Sequence, residues 1–301
     1  MKTVLKVLGA LVALVLLAAG LAYAWAKSTA SSRMEKQHTT HLVDFPIPFP
    51  LTDAEVAELR AEKAKALPAE ADPNADVLAG VDLKAVALER AQARGKHLVE
   101  SLYPCIECHG KDFGGGTMVD DPAIGKILGV NLTRGKGGVV ATYTAADWDR
   151  TVRHGVLPTG KPTVMPAGDF AAMSDQELSD IVAYIRSVPP VDREVPRPTY
   201  GPVGTLLMAA GKIRINAEED PHEKPHAAQA PAAAVTAEFG QHLLQVCTGC
   251  HGVDLAGGPI PGGPPDWPEA AKLSETELKA LWTALQATPP KASARKSVAA
   301  K

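Results

Sequence analysis

Cysteine is scarce in this chain, with four residues in 301, and all four are used in two short motifs. A small scaffold stapled by many disulfides is therefore excluded. Aromatic residues make up only 5%, too few for one large aromatic core, whereas 26 glycines and 25 prolines imply small modules joined by irregular segments. Excess charge of one sign is also lacking. A formal net charge of -3 supplies no basic field for nucleic acid. Long apolar runs are absent beyond the first residues, so no second membrane span is expected.

What is present begins at the N-terminus. Lys2 and Lys6 precede Val7 to Ala26, a stretch without charge that as a helix would span roughly 30 Å. Ala22, Ala24 and Ala26 offer A-x-A cleavage sites. The run exceeds the ~7 to 15 residues of an ordinary signal core, so a retained anchor is preferred to a cleaved signal peptide. Either way the remainder is exported and expected on the periplasmic side of the inner membrane.

The cysteines occur as "CIECH" at Cys105, Cys108 and His109, and as "CTGCH" at Cys247, Cys250 and His251. A bridge within either pair would close a trivial loop and leave the histidine unexplained. A thioredoxin-like pair needs a βαβ setting, and a zinc site joining the two pairs would leave both histidines surplus. Cys-x-x-Cys-His is the attachment signature of c-type haem. Two thiols a helical turn apart add to the haem vinyl groups, and the adjacent imidazole becomes the axial ligand. Two covalently attached haem c groups are expected.

The surroundings of the motifs repeat. Gly95, His97 and Leu98 before the first correspond to Gly240, His242 and Leu243 before the second. A glycine within such a helix marks a close crossing with another helix. The two histidines read as helix-flank surface residues. After the motifs, Ser174 with Glu177 and Ser274 with Glu277 form S-x-x-E capping boxes. Leu178, Ile181, Val182 and Ile185 make one apolar face, and Leu278, Leu281, Trp282 and Leu285 repeat it.

With "ARGKHLVESLYPCIECHG", "NLTRGKGG", "YTAADWDRTVRHGVLPTGKPTVMP" and "MSDQELSDIVAYIRSVPP" in the first module and "EFGQHLLQVCTGCHGVDLAGGPIPGGPPDWP" in the second, the chain resembles membrane-anchored di-haem class I cytochromes c linked to dehydrogenases. The resemblance implies a mainly α fold: two cytochrome c-like haem domains in tandem, the second shortened, behind an N-terminal transmembrane or signal helix. The corresponding division is 1–26 anchor or signal, 27–82 tether, 83–192 first domain, 193–235 linker, 236–292 shortened second domain and 293–301 basic tail.

Met165 stands where the family places its distal methionine. Met173 reads as core, and Met118 lies too close behind the motif. In the second module the aligned position is Pro265, and no methionine or histidine follows His251. Met208, His222, His226, His242, Lys272 or Lys279 could complete the second iron, or it could stay open. The resemblance implies single-electron transfer from a periplasmic dehydrogenase to another cytochrome or a terminal oxidase. A di-haem peroxidase or ligand sensor using an open second haem is the alternative. No catalytic residues are assigned.

Other segments have plainer readings. Residues 27–50 suggest an extended tether stiffened by Pro46, Pro48 and Pro50, with His38 and His41 facing solvent, and Thr52 caps an amphipathic helix. "PTYGPVGTLLMAAGKIRI" is expected to pack on the first module, and "NAEEDPHEKPHAAQAPAAA" reads as flexible. Gly114 to Gly116 let backbone pass close to the haem edge, and Arg153 with His154 read as haem-pocket or propionate neighbours.

Overall fold

The structure, a computed structural model, describes residues 2–66, 76–219, 221–252, 255 and 272–288. Among these the helices are α1 (Lys2–Glu35), α2 (Asp53–Lys65), α3 (Leu83–Ser101), α4 (Cys105–His109), α5 (Ala145–His154), α6 (Asp175–Ser187), α7 (Pro202–Ala209), α8 (Ala237–Leu244), α9 (Thr248–His251) and α10 (Glu275–Ala287). Three short strands, β1 (Gly116–Asp121), β2 (Gly125–Gly129) and β3 (Thr199–Tyr200), complete the elements. The fold is mainly helical. Two compact units result, one of Met1–Leu42, Cys105–Ala171 and Pro189–Pro225, the other of Val43–Pro104, Ala172–Val188 and His226–Lys301. They cut across the two sequence modules.

In the first unit, α1 is long and apolar enough to cross a membrane. It does not stop at Ala26. Lacking a breaker, it continues to Glu35, so residues 27–35 are helical rather than an extended tether. Its last turns belong to the folded domain. Ala26 is fully buried, and Ala30 and Met34 pack against a core of Val156, Met208, Ile215 and Ala217. Arg33 Nε donates to Glu218 Oε2 at 3.0 Å, and Nη1 donates to the Met208 carbonyl.

The sheet, absent from the sequence reading, has the order β1-β2-β3 and is antiparallel, with Gly116 opposite Gly129 and Asp121 opposite Gly125. Asp121 Oδ1 turns the hairpin by accepting from the amides of Ala123 and Ile124 at 2.8 and 2.9 Å. Downstream, β3 and α7 fold within this unit, with α7 lying against α1.

The second unit is built on the repeat. Helix α3 crosses α6 at Gly95, where an added Cβ would lie 2.0 Å from the Asp180 carbonyl oxygen. Helix α8 crosses α10 at Gly240, where it would lie 2.0 Å from the Ala280 carbonyl oxygen. The glycines thus serve the close crossings their sequence positions predict. Arg94 reinforces the first crossing with bonds of 2.6 and 3.0 Å to Asp180 and 3.0 Å to Glu55. Ser174 and Ser274 form the predicted capping boxes with Glu177 and Glu277, and Thr52 forms one with Glu55.

Two expectations change here. In α6, Leu178, Ile181, Val182 and Ile185 are buried as predicted, but in α10 Glu277, Ala280 and Ala284 are the buried residues. Trp282 is 63% exposed and Leu278 and Leu285 about as open as ordinary surface residues. The close approach at Gly240 admits only alanine-sized side chains, which turns the bulky face outward. Residues 227 and 228, read as flexible, are also engaged. Their carbonyls accept from the amides of Asp175 and Gln176 at 2.9 and 3.1 Å, at the start of α6, where helical N–H groups have no internal partner.

His97 and His242 are not idle flank residues either. His97 Nε2 lies 2.9 Å from Glu277 Oε1, and His242 Nε2 lies 2.9 Å from Glu177 Oε1. Each repeat's histidine therefore meets the capping-box glutamate of the other repeat. Burial by itself would raise the Glu177 carboxyl, but hydrogen bonds from His242 and Ser174 outweigh it and hold the group below its ordinary value. The same balance, with His97 and Ser274, holds Glu277 low. A carboxyl lowered on folding stabilises the fold above its unfolded value, about 4.3, and that contribution is lost as pH falls through the folded value. The unfolding midpoint of the wild type is expected to fall more steeply below about pH 4.3 than that of a Glu177→Gln/Glu277→Gln variant. Parallel curves in a pH series of thermal melts would refute the assignment.

Candidate functional site

Helix α4 begins at Cys105, after Pro104, and its single turn places Cys105 and Cys108 on one face. Neither is in a disulfide. Burial, with Cys108 beside it, pushes the Cys105 thiol up to about 12, and burial raises Cys108 as well. A dithiol redox pair needs the reverse, a lowered and reactive thiolate. The pair is built as two neutral thiols held one turn apart.

His109 follows with its tautomer fixed by geometry. Its Nδ1 lies 2.8 Å from the Val130 carbonyl, an acceptor, so Nδ1 carries the proton and the lone pair is on Nε2. Burial lowers its pKa, against the hydrogen bond to Val130, and favours the neutral ligating form. Backbone clamps hold the helix. A Cβ at Gly129 would lie 1.9 Å from the Cys108 carbonyl oxygen, and one at Gly116 would lie 2.7 Å from it. Only glycine in β1 and β2 lets the hairpin approach α4 so closely. Of the other two glycines in the 114–116 run, Gly114 abuts Val191 and Arg193 and Gly115 abuts Val195.

The loop after β2 is anchored by a residue that composition and spacing did not single out. Asn131 is fully buried, donates through Nδ2 to the carbonyls of Val191 at 2.7 Å and Arg193 at 3.1 Å, and accepts at Oδ1 from the Thr133 amide at 2.9 Å. An Asn-x-Thr in a Gly-rich loop is the only local signal for it. This network positions Val130, and through it the His109 ring.

Met165 belongs to the same unit as α4. Its amide donates to Thr163 Oγ1 at 2.7 Å and its carbonyl accepts from the Ala167 amide at 2.8 Å, so its backbone is set while the residue stays half-buried. Met173 is 1% exposed and Met118 is 40% exposed. On α5, Trp148 is buried and its Nε1 finds no acceptor among the described residues. A carboxylate carried by a bound group, such as a haem propionate, would satisfy it. Arg153, the other expected pocket neighbour, is held by an acid on its own helix. It is fully buried with Nε and Nη2 on Asp149 Oδ1, at 2.8 and 2.6 Å. His154 instead joins His41 and His222, and neither His38 nor His41 faces solvent as expected, since the Nε2 atoms of both are buried.

The second motif lies on α9 and the turn before it. Cys247 is half-buried and His251 exposed, whereas the Cys250 side chain, Pro265 and residues 256–271 fall outside the described residues. Several proposed sixth ligands are engaged within their own units. Met208 is fully buried in the apolar core of the first unit. His222 is bound through both ring nitrogens, to Ala217 and His154, and His242 Nε2 is bound to Glu177. Lys279 Nζ pairs with Glu275 at 2.5 Å, and Lys272 is exposed.

Residues 90–185 match the family described as cytochrome c oxidase, cbb3-type, subunit III. The chain is 32% identical over 117 residues to the gluconate 2-dehydrogenase cytochrome c subunit of Pantoea cypripedii, covering 35% of this chain and 26% of that one. It is 27% identical over 189 residues to the alcohol dehydrogenase (quinone) cytochrome c subunit of Gluconacetobacter polyoxogenes, covering 56% and 40%. With the fructose dehydrogenase cytochrome subunit of Gluconobacter japonicus it shares 28% over 137 residues, covering 40% and 28%. The matched regions span less than half the length of these relatives.

Proposed function

We propose that the chain is a di-haem electron carrier serving a periplasmic dehydrogenase, a reading supported by the match of residues 90–185 to a c-type cytochrome family. Cys105 and Cys108 would hold the first haem c through thioethers, with His109 and Met165 as its iron ligands. Cys247, Cys250 and His251 would hold the second. The observation that carries this reading is His109, whose Nδ1 proton is spent on Val130 so that Nε2 is presented as a ligand. Haem c, when bound, supplies one-electron iron chemistry. The chain's own residues bind it, fix the imidazole and exclude water. The buried Trp148 Nε1 provides a donor for a propionate.

Anchoring through α1 places the carrier at the membrane, and the continuity of α1 into the Met208 core supports retention of the anchor on the periplasmic side. The relatives are named as cytochrome subunits of dehydrogenases, which supports a dehydrogenase as electron donor and another cytochrome or an oxidase as acceptor. The engagement of Met208, His222 and His242 favours a second reading, in which the second iron lacks a protein sixth ligand and binds small molecules or reduces peroxide.

Haem quantification on the purified chain is expected to give two haems, and a count of one would overturn the di-haem assignment. Carbon monoxide added to the reduced protein separates the two readings. No spectral response supports a closed carrier, whereas a response of about half the haem absorbance supports the open second site. Reduction by a partner dehydrogenase without peroxide turnover would confirm the carrier role.

A further inference from the structure

Four histidines from separated stretches gather in the first compact unit: His38 and His41 after α1, His154 at the end of α5, and His222. Ring centroids of His41 and His154 are 5.2 Å apart, those of His154 and His222 5.1 Å, and those of His38 and His222 5.9 Å. Their hydrogen bonds assign the tautomers. His222 Nε2 lies 2.8 Å from the Ala217 carbonyl, which can only accept, so Nε2 bears the proton and Nδ1 the lone pair. His154 Nδ1, 3.1 Å from that lone pair, is then the donor, which leaves its own lone pair on Nε2. His41 Nδ1 donates to the His222 carbonyl at 2.8 Å, so the His41 lone pair is also on Nε2.

Asp149 completes the set. Arg153 occupies its Oδ1, and its Oδ2 faces His154 Nε2 at 3.7 Å. His154 stays neutral, because burial first, and then His222, His41 and Arg153, hold its pKa at about 3. One ligating atom from each of His41, Asp149 and His154 lies within 4.8 Å of those of the other two. An ion among three atoms so spaced is at most about 2.8 Å from each, so shifts below about 0.8 Å would give zinc-like bonds of ~2.0 to 2.1 Å. Both imidazoles have the other ring nitrogen committed as a donor, and the carboxylate is oriented by a cation on its far oxygen. That is the outer support by which metal-binding histidines and carboxylates are held.

We propose that His41, Asp149 and His154 form a binding site for a divalent transition ion of the zinc class, distinct from either haem site. Two neutral imidazoles select such an ion over calcium or magnesium, which take oxygen ligands. Arg153 already balances Asp149, so the protein offers little net negative charge, and binding depends on the imidazole lone pairs. The ion ties the segment that follows α1 to the end of α5. It thereby fixes the membrane helix to the domain that carries the first Cys-x-x-Cys-His motif.

The test uses the full-length holo-protein, purified without a polyhistidine tag, freed of metal with a chelator and titrated calorimetrically with zinc chloride. One equivalent of zinc per chain is expected, retained on gel filtration and not displaced by millimolar calcium. His41→Ala is expected to weaken binding at least tenfold, as is Asp149→Asn, while His97→Ala leaves it unchanged. Haem absorption and the unfolding midpoint report whether each variant is folded. Because Asp149 is buried against Arg153, His41→Ala decides if Asp149→Asn does not fold. Absence of saturable zinc binding by the wild type, unchanged binding in folded His41→Ala, or loss in His97→Ala overturns the proposal.

Discussion

Replacing Met165 by alanine is expected to lower the reduction potential of the haem held at the first motif by a substantial part of the ~0.8 V range that axial ligands command, and to make that haem reactive to carbon monoxide. The methionine-sulfur band at the red end of the oxidised spectrum should vanish together with the potential. The argument is one of chemistry and placement. Thioether sulfur raises haem potential, and Met165 is a half-buried methionine in the unit that holds α4, on a backbone fixed through Thr163 and Ala167. Met173, 1% exposed, serves as the internal comparison, because Met173→Leu preserves volume in a core site and should leave the spectrum unchanged. A redox titration in which Met165→Ala keeps the wild-type potential, or in which Met173→Leu removes the band, would exclude Met165 as the ligand.

Gly95→Ala and Gly240→Ala are each expected to cost the fold ~3 kcal/mol or more, at the upper end of what overpacking costs in ordinary cores. The reason is that the intruding Cβ meets backbone on the opposing helix. It would lie 2.0 Å from the Asp180 oxygen and 2.5 Å from the Asp180 carbonyl carbon in one case, and the same distances from those atoms of Ala280 in the other. No rotamer change relieves such a contact, so the helix pairs must separate. Separation also pulls Arg94 from Asp180 and uncouples the histidine–glutamate pairs. Gly20→Ala, which meets nothing within 4 Å, provides the neutral comparison. Denaturant unfolding followed by haem absorption and circular dichroism measures the difference. Wild-type midpoints in both crossing variants would mean that the two helix pairs do not pack as described.

Much of this arrangement was legible in the residues because the signals are local. A Cys-x-x-Cys-His motif carries its own spacing, a Ser-x-x-Glu box closes within one turn, and a glycine placed among helix formers signals a crossing wherever its partner lies. Those features predicted α4, the starts of α6 and α10, and the two tight crossings. The sheet was less legible, because β1 and β2 are short, rich in glycine and aspartate, and paired through a turn made by the Asp121 side chain.

The apolar stripe of α10 was misread for a related reason. Periodicity identifies a bulky face, but the 2.0 Å approach at Gly240 dictated that the face in contact be Ala280 and Ala284. Histidine was the residue type whose role the sequence left most open. A single imidazole in a polar stretch looks the same whether it meets water, carboxylate or another imidazole. His97 and His242 became partners of each other's capping glutamates, and His38 and His41 left the solvent for α5 and His222, only because the chain returned to them from far away.

The amino-acid sequence by itself determined the two Cys-x-x-Cys-His signatures, the long apolar N-terminal helix, and the repeated helix and capping pattern, since each of these is written within a few consecutive residues. Tertiary structure alone decided which nitrogen of His109 and His154 carries its proton, which glutamate each repeat's histidine meets, and that His41 converges with Asp149 and His154. Those outcomes depend on donors and acceptors brought together across long stretches of chain, and hydrogen-bond geometry at that range has no local signature.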